Sequence, residues 1–373
     1  MNSFTVEQNL KKAKSLVSKG ESNEALFLYK EILDKFPKNN RAIMGIQQLK
    51  GNSISYSEKN LIAIYNKKEF EKVIEQINSL ISDLNSSFIL LKLLGLSYYQ
   101  IKDWDCAEIN LKKAIKINKN DFNIYIILGN ISKTKRQFNE AKNFYLKSIS
   151  INSKNSEPHN CIGNLYKEEE NISQAIISYQ QAININNNIP EIHFNLGNCF
   201  YEQNRNLDAI KSYQKAIMIN SEYKPAYINL GLCLQNLEFK SYDHNLETTI
   251  LKLLEKQNFV RPAEICKSSL SLIKLNPKIQ KLFNNLDLEK GIDEKIWELY
   301  ENRLLIKLMS ICPLSDLYFE EKLNSIRCHI LLNIEQLSDN TKTLTIQSVL
   351  AIQSFINEFI YIETDEEIEA LLG

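Results

Sequence analysis

The chain has 373 residues, of which 44% are hydrophobic, and its 45 Lys and Arg residues balance its 45 Asp and Glu residues. With no net charge there is no overall field to attract nucleic acid or an anionic membrane, so neither is expected as a partner. No apolar run reaches the roughly 18 residues of a membrane helix, and residues 1–20 lack the apolar core of a signal peptide, which favours a cytoplasmic location.

The chain up to Ser87 predicts irregular helical structure. Residues 6–39 form one helical hairpin, and the chain from Arg41 forms a helix that is expected to end at Gly51-Asn52-Ser53. A degenerate hairpin follows over residues 54–87, with larger side chains at its helix crossing. The larger residues are Leu61, Ile64, Val73 and Ile77.

Four regular repeats of equal length follow, at 88–121, 122–155, 156–189 and 190–223. Glycine recurs at the same point of each repeat and once more beyond them, at Gly95, Gly129, Gly163, Gly197 and Gly231. Alanine recurs twelve residues after the glycine, at Ala107, Ala141, Ala175 and Ala209. A larger side chain follows four residues later, at Leu111, Tyr145, Tyr179 and Tyr213, and it is expected to pack against the next repeat. A fixed period of this length predicts helical hairpins in tandem, with the small residues where two helices cross.

The segment FNLGNCFYEQNRNLDAIKSYQKAIMIN, from Phe194 to Asn220, resembles the tetratricopeptide repeat (TPR) family. The resemblance implies an all-α solenoid in which helix hairpins wind into a right-handed superhelix. The proline that usually closes a TPR is present at Pro37 but absent from the regular repeats, which is expected to loosen their turns. The residues in its place are Lys119, Ser153, Asn187 and Ser221.

The regular array ends near residue 236, and the rest of the chain predicts a C-terminal helical bundle. Apolar residues there recur with helical spacing but without the period of the repeats. The predicted helices are Asn245 to Gln257, Arg261 to Leu275, Glu294 to Cys312, Asp316 to Ile334 and Leu344 to Ile362. The expected domains are therefore 1–53, an N-terminal repeat with an irregular helix; 54–236, the TPR solenoid; and 237–373, a non-repeat helical region.

No residue is assigned a catalytic, cofactor-binding or metal-binding role. Five of the ten glycines belong to the repeat column, and the others are too scattered for a phosphate-binding loop. The seven cysteines form no CxxC pair, so they are interpreted as free thiols rather than zinc ligands. His159 and His193 lie one repeat apart, and we interpret them as filling a packing position held elsewhere by tyrosine or leucine. The acidic residues from Glu363 to Glu369 are interpreted as a helix N-terminus.

Asparagine recurs on the first helices of the hairpins. Three residues directly follow the glycine column and three lie nearby, and together they are Asn130, Asn164, Asn198, Asn160, Asn195 and Asn229. In the TPR family these positions line a concave groove that receives extended peptides, and the resemblance extends to the Asn-lined repeats of O-linked N-acetylglucosamine transferases. An amide carries both a donor and an acceptor, so such a ladder could hold a peptide backbone. The alternative is that asparagine is simply abundant in this chain.

The last part of the chain carries a second resemblance. CPLSDLYFEEKLNSIRCHILLNI and VLAIQSFINEFIYIETDEEIEALL, within roughly residues 310–373, resemble the helical region that joins TPRs to an S-adenosylmethionine-dependent methyltransferase domain in a group of bacterial proteins. The matching stretch runs from Gln353 to Phe359. The catalytic domain and its glycine-rich loop are not in this sequence, so the family's catalytic residues have no positions here, and a truncated or split reading frame is one interpretation.

The favoured hypothesis is a non-catalytic scaffold that binds a peptide or a partner helix in its groove, without a cofactor. The alternative is the recognition half of a methyltransferase whose catalytic domain is a separate partner. A remote third is an accessory role in glycosyl transfer, for which no nucleotide-sugar domain is visible.

Overall fold

The computed structural model describes residues 3–19, 21–79, 87–235, 237–256, 259–284, 292–314, 316–332 and 341–356. In these residues it contains twenty α-helices and no β-strand, which confirms the all-α prediction. None of the described helices has the length and the apolar character needed to cross a membrane. Two compact units make up the chain, Met1–Ser153 and Lys154–Gly373.

The first unit holds eight helices. Their bounds are α1 Ser3–Lys19, α2 Ser22–Lys35, α3 Asn40–Asn66, α4 Phe70–Ser79, α5 Phe88–Gln100, α6 Trp104–Ile117, α7 Phe122–Thr134 and α8 Phe138–Ile151. The predicted break at Gly51-Asn52-Ser53 is wrong, because α3 continues through these residues as one helix. Glycine in a helix interior costs only about 1 kcal/mol, which the surrounding residues of a long helix can offset.

The second unit holds twelve helices. Their bounds are α9 Glu157–Glu168, α10 Ile172–Ile185, α11 Pro190–Glu202, α12 Asn206–Ile219, α13 Lys224–Leu234, α14 His244–Glu255, α15 Pro262–Lys274, α16 Pro277–Asn284, α17 Ile292–Glu301, α18 Arg303–Ile311, α19 Leu317–Leu332 and α20 Thr341–Ile356. The hairpins α5/α6, α7/α8, α9/α10 and α11/α12 coincide with the four regular repeats. The acidic residues from Glu363 to Glu369 lie outside the described residues, as does the end of the last predicted helix.

The glycine column makes room for an aromatic ring of the same hairpin. A Cβ atom built on Gly129 would lie 2.4 Å from Cε1 of Tyr145, and one on Gly163 would lie 2.6 Å from Cε1 of Tyr179. The rings of Tyr145 and Tyr179 are fully buried. The tyrosines were expected to pack against the next repeat, but each ring lies over the glycine of its own repeat, so the missing side chain is needed for the ring.

The five hairpins from α3/α4 to α11/α12 each turn through one residue in the left-handed region. These residues are Lys68, Lys102, Arg136, Glu170 and Asn204, with φ between 58° and 65°, each one repeat after the last. In the turn at Lys102, the N–H of Asp103 donates to the carbonyl of Tyr98 at 3.0 Å, and the N–H of Lys102 donates to that of Tyr99. This is the Schellman geometry that normally favours glycine. The degenerate hairpin α3/α4 therefore uses the same turn as the regular repeats.

The turns between repeats are defined by asparagine rather than proline. The Oδ1 atoms of Asn118, Asn186 and Asn220 each accept from the N–H two residues later at 3.0 Å. Each of these residues also caps the preceding helix in an extended conformation. The expectation that loss of proline loosens these turns is wrong, because the side-chain hydrogen bond fixes the chain direction instead.

At the end of the array, a loop that contains Val260 lies against Gly231 of α13. No matching second helix follows α13 directly, and a Cβ on Gly231 would meet Cγ2 of Val260 at 3.1 Å. The helix predicted from Glu294 to Cys312 is wrong as a single element, because Asn302 interrupts it and caps α18 by accepting from the N–H of Leu305 at 2.8 Å. The short helix α16 was not predicted.

Candidate functional site

The asparagine that follows the glycine column is held by a tyrosine of the second helix. The hydroxyl of Tyr179 on α10 donates to Oδ1 of Asn164 on α9 at 2.7 Å, and that of Tyr213 on α12 donates to Oδ1 of Asn198 on α11 at 2.8 Å. In the first unit, Tyr145 makes the same bond to Asn130, which is half-buried, at 2.6 Å. Each of these amides therefore has a fixed orientation.

Five of the six predicted asparagines lie in the second unit, where they form two hydrogen-bonded groups. Nδ2 of Asn195 lies 3.3 Å from Oδ1 of Asn160 and 3.4 Å from Oδ1 of Asn164. Nδ2 of Asn229 on α13 donates to Oδ1 of Asn198 at 2.8 Å. All five side chains are half-buried. Asn130 belongs to the first unit.

At Asn164 and Asn198, the amide leaves a donor rather than an acceptor for a ligand. Oδ1 of Asn164 and Oδ1 of Asn198 each already accept two hydrogen bonds, one from tyrosine and one from a neighbouring amide. No acceptor for Nδ2 of Asn164 or Asn198 is found among the described residues, and neither nitrogen is a buried atom without a partner. The ladder was expected to offer both donor and acceptor, and at Asn164 and Asn198 the acceptor is used within the protein.

Larger side chains continue the same helix faces one turn further on. Lys167 follows Asn164 by three residues and pairs with Glu202 of α11 at 3.0 Å. Tyr201 and Leu232 follow Asn198 and Asn229 by three residues and are 41% and 44% exposed. Residues three apart share a helix face, so these side chains border the amides. Counting three residues on from each asparagine would have found them in the sequence. We call Asn160, Asn164, Asn195, Asn198 and Asn229 with this border the amide face.

Comparison with known proteins gives the repeats a family. The family model described as TPR repeat matches residues 163–204, and two matches to the tetratricopeptide repeat cover residues 122–155 and 190–223. These segments are tetratricopeptide repeats. No curated protein matches the chain.

Solved structures that are similar to this chain include two described as TPR proteins. A crystal structure of MamA is 19% identical, covers 43% of this chain and 94% of its own, and has a TM-score of 0.40. YrrB, described as a TPR protein with an unusual peptide-binding site, is 19% identical over 50% of this chain and 92% of its own, with a TM-score of 0.37. The C-terminal part of a TPR protein from Cytophaga hutchinsonii is 14% identical over 84% of this chain and 99% of its own, with a TM-score of 0.44.

His193 of the TPR segment has a packing role, whereas the half-buried His159 has Nδ1 3.2 Å from Oε1 of Gln181. The ring of buried His193 lies with Nε2 2.9 Å from the carbonyl oxygen of Asn187, six residues earlier. One repeat later, the hydroxyl of Tyr227 donates to the carbonyl of Ser221, also six residues earlier. Burial lowers the pKa of His193. The two side chains therefore fill one position in the same way, as the sequence interpretation expected.

The cysteines of the TPR array behave as small apolar residues. Cys199 and Cys233 are fully buried, and burial raises their thiol pKa values to about 11 and about 12. A thiol with a raised pKa is a poor nucleophile at neutral pH. No group of three metal-ligating side chains lies together in the described parts of the chain.

Gln353 is the first residue of the stretch from Gln353 to Phe359, and its side chain packs inside the protein. It is 1% exposed, and its Nε2 donates to the carbonyls of Met309 at 2.7 Å and Cys312 at 2.9 Å. Its Oε1 accepts from the N–H of Leu314 at 3.1 Å. The side chain thus ties α20 to the end of α18. Asn357, Glu358 and Phe359 of the same stretch lie outside the described residues.

Proposed function

We propose that this TPR protein is a non-catalytic interaction scaffold and that its amide face binds an extended peptide by donating hydrogen bonds to peptide carbonyl groups. The observation that carries the proposal is the fixed direction of Asn164 and Asn198, whose acceptors are occupied and whose Nδ2 groups are accessible. A donor fixed in advance loses little side-chain entropy when a ligand arrives.

The half-buried setting of the amides supports binding to backbone rather than to charge. The nearest ionic groups, Lys167 and Glu202, neutralise each other at 3.0 Å. Tyr201 and Leu232 offer apolar surface on either side. A peptide on this face would place carbonyls over the amides and its side chains over the apolar border. The partner we expect is therefore uncharged along the contact.

Aspartate substitutions give the sharpest test. Asn164→Asp and Asn198→Asp keep an oxygen for the tyrosine and for the neighbouring amide but replace the donor by an acceptor. Peptides of twelve residues would be selected on the full chain from a random phage library, and their affinity measured by fluorescence anisotropy. We expect each change to weaken binding about tenfold or more, because a lost hydrogen bond to a buried group costs about 1–3 kcal/mol.

The control is Asn184→Asp, which adds the same charge on an exposed face of α10. Measurements in 0.5 M NaCl screen the added charge. Unchanged affinity of both amide-face variants, or an equal loss in the control, would contradict donation by these amides. The change of Asn164 and Asn198 to Ala should also weaken binding, but it removes the tyrosine's acceptor and so disturbs folding as well.

A second proposal concerns residues 237–373. The resemblance of roughly residues 310–373 to a TPR-methyltransferase junction supports a role as the recognition half of an S-adenosylmethionine-dependent methyltransferase with a separate catalytic chain. The test is to add the product of a neighbouring reading frame with a GxGxG loop to the full chain and follow methyl transfer from labelled S-adenosylmethionine to cell proteins. No stimulation by the full chain, or no such frame, would refute it.

A further inference from the structure

A cavity in the C-terminal part of the second unit has a buried carboxylate in its wall. Its volume is about 430 Å³, within the range of small-molecule pockets. It lies where the start of α14, the α15–α16 junction and the end of α17 meet. The lining residues are Tyr242, His244, Glu247, Asn276, Pro277, Lys278, Ile279, Glu298, Glu301 and Asn302. None of them belongs to the amide face.

Glu247 is 8% exposed and is held only by neutral donors. Oε2 accepts from the hydroxyl of Tyr242 and from Nδ2 of Asn276 at 3.2 Å, and Oε1 accepts from Nδ2 of Asn302 at 2.8 Å. A carboxylate has about four acceptor sites, so one is left. No cation pairs with Glu247 in the described part of the chain, although a buried charge is costly without a counter-charge.

The supporting residues hold the carboxylate in position. Oδ1 of Asn276 accepts from the N–H of Lys278 at 3.0 Å, and Oδ1 of Asn302 accepts from the N–H of Leu305 at 2.8 Å. Both amides must therefore direct their nitrogens toward Glu247. Burial, followed by the bond to Glu247, raises the pKa of Tyr242, which keeps its hydroxyl a donor. The carboxylate site is thus built before any ligand arrives.

The rest of the lining also suits a cation with a short apolar body. Glu298 adds negative charge, and the cavity's lysine, Lys278, pairs with Glu301 at 3.3 Å, so the charges of these two residues offset each other. The rings of Tyr242 and His244 lie with centroids 6.5 Å apart and offer aromatic surface, and Ile279 adds an apolar wall. Carboxylate and aromatic groups together are the usual surroundings of bound ammonium groups.

We infer that this cavity binds an organic ammonium group on a short aliphatic chain, with Glu247 as its counter-ion. The same chemistry could come from a free amine or from a lysine side chain of a partner, and the probes distinguish these sources. 1,4-Diaminobutane and n-butylamine represent free amines, acetyl-Gly-Lys-Gly-amide represents lysine, and 1-butanol is the neutral control of similar shape.

Isothermal titration calorimetry on the full chain would measure each probe. We expect an amine or the lysine peptide to bind, 1-butanol to show no binding, and Glu247→Gln to weaken the amine at least tenfold. Glu255→Gln, the same change at an exposed position of α14, should leave affinity unchanged. Stronger binding of the peptide than of butylamine would assign a protein partner, and the reverse a metabolite.

Glu247→Gln could fail to fold because it disturbs three hydrogen bonds, so Glu298→Gln at the exposed edge provides a second variant. It should fold normally and weaken amine binding about two- to threefold, since it removes one negative charge from the lining. The inference is overturned if butanol binds as well as butylamine, if neither amine nor peptide binds at 10 mM, or if both cavity variants bind as the parent does.

Discussion

The tyrosine and the asparagine act as a pair in three of the four regular hairpins. Tyr179 and Asn164 are joined at 2.7 Å, and the same bond recurs at 2.6 Å and 2.8 Å in the neighbouring repeats. In the repeat at 88–121, leucine stands at both positions, as Leu96 and Leu111. The two positions thus change together within one chain. Asparagine at this point is therefore not only a result of its abundance.

A double-mutant cycle on Asn164 and Tyr179 tests this pairing. Asn164→Ala leaves the hydroxyl of a fully buried tyrosine without its acceptor, which should cost about 1–3 kcal/mol of unfolding free energy. Tyr179→Phe should cost about 1 kcal/mol, and the double variant less than the sum of the two. Urea unfolding of the four proteins gives the coupling. Simple additivity would show that the bond contributes nothing.

His193 gives a prediction for the acid side of the stability profile. Burial lowers the pKa of His193 in the folded state. Below the ordinary pKa near 6.5, the unfolded chain therefore binds a proton at this residue more readily than the folded chain does. The unfolding free energy should therefore fall as the pH falls below about 6.5. His193→Tyr, which copies Tyr227 one repeat later, should reduce that fall. The measurement is urea unfolding between pH 7.5 and 5.

His159→Tyr is the matched control for this prediction, since it makes the same change one repeat earlier at a half-buried position. That variant keeps His193, so the part of the fall in unfolding free energy at low pH that His193 causes should remain. A His193→Tyr protein with the parent's pH dependence would mean that other groups cause it.

At the scale of the helical element, the hairpin turn is the feature that recurs most strictly. Five residues with φ between 58° and 65° recur once per repeat, and none is glycine. A side chain in this region costs about 1–2 kcal/mol relative to the right-handed conformation. The sequence offered no signal for these positions, because Lys, Arg, Glu and Asn occupy them in turn. The length of the turn enforces the conformation.

Glycine at such a turn should therefore stabilise the protein. Lys102 is exposed, and Lys102→Gly should raise the unfolding free energy by about 0.5–1 kcal/mol, because strain relief exceeds the added freedom of the unfolded chain. Lys113→Gly, on an exposed face of α6, should instead lower it by about 1 kcal/mol. Thermal melting of both variants tests the sign. A loss in Lys102→Gly would show that this turn is unstrained.

At the scale of the whole molecule, the sequence predicted the hairpins that follow from the repeat period. It did not predict the features that depend on contacts between residues far apart in sequence. The four regular hairpins follow from columns such as Gly129 and Ala141, which any local count detects. The bond of Asn302 to Glu247 did not follow from the sequence, because it joins residues 55 apart. The helix start that Asn302 caps was also missed, although its partner Leu305 is three residues away. The direction of the Asn164 amide likewise depends on a hydroxyl from another helix. The repeat period located the amide face, but it could not show whether Asn164 and Asn198 present a donor or an acceptor to a ligand.

The glycine column predicts how destabilisation is distributed along the chain. Gly129→Ala would place a methyl group 2.4 Å from the ring of Tyr145, which is fully buried, so the hairpin α7/α8 must open or shift. Overpacking of this kind costs about 1–3 kcal/mol. In a solenoid, each repeat is stabilised mainly by its neighbours, so the damage should be local. Hydrogen exchange read by mass spectrometry should show faster exchange in α7 and α8, and a smaller change in α6.

Gly231→Ala makes the same substitution where the array is closed by a loop instead of a helix. Its new methyl group would meet the end of the Val260 side chain at 3.1 Å, which a shift of a few tenths of an ångström relieves. Alanine also favours a helix over glycine by about 1 kcal/mol. We therefore expect unchanged or slower exchange in α13. Gly231→Ala could instead accelerate exchange as strongly as Gly129→Ala does. That result would mean that glycine is required for the close approach of two helix backbones, and not to make room for the tyrosine ring.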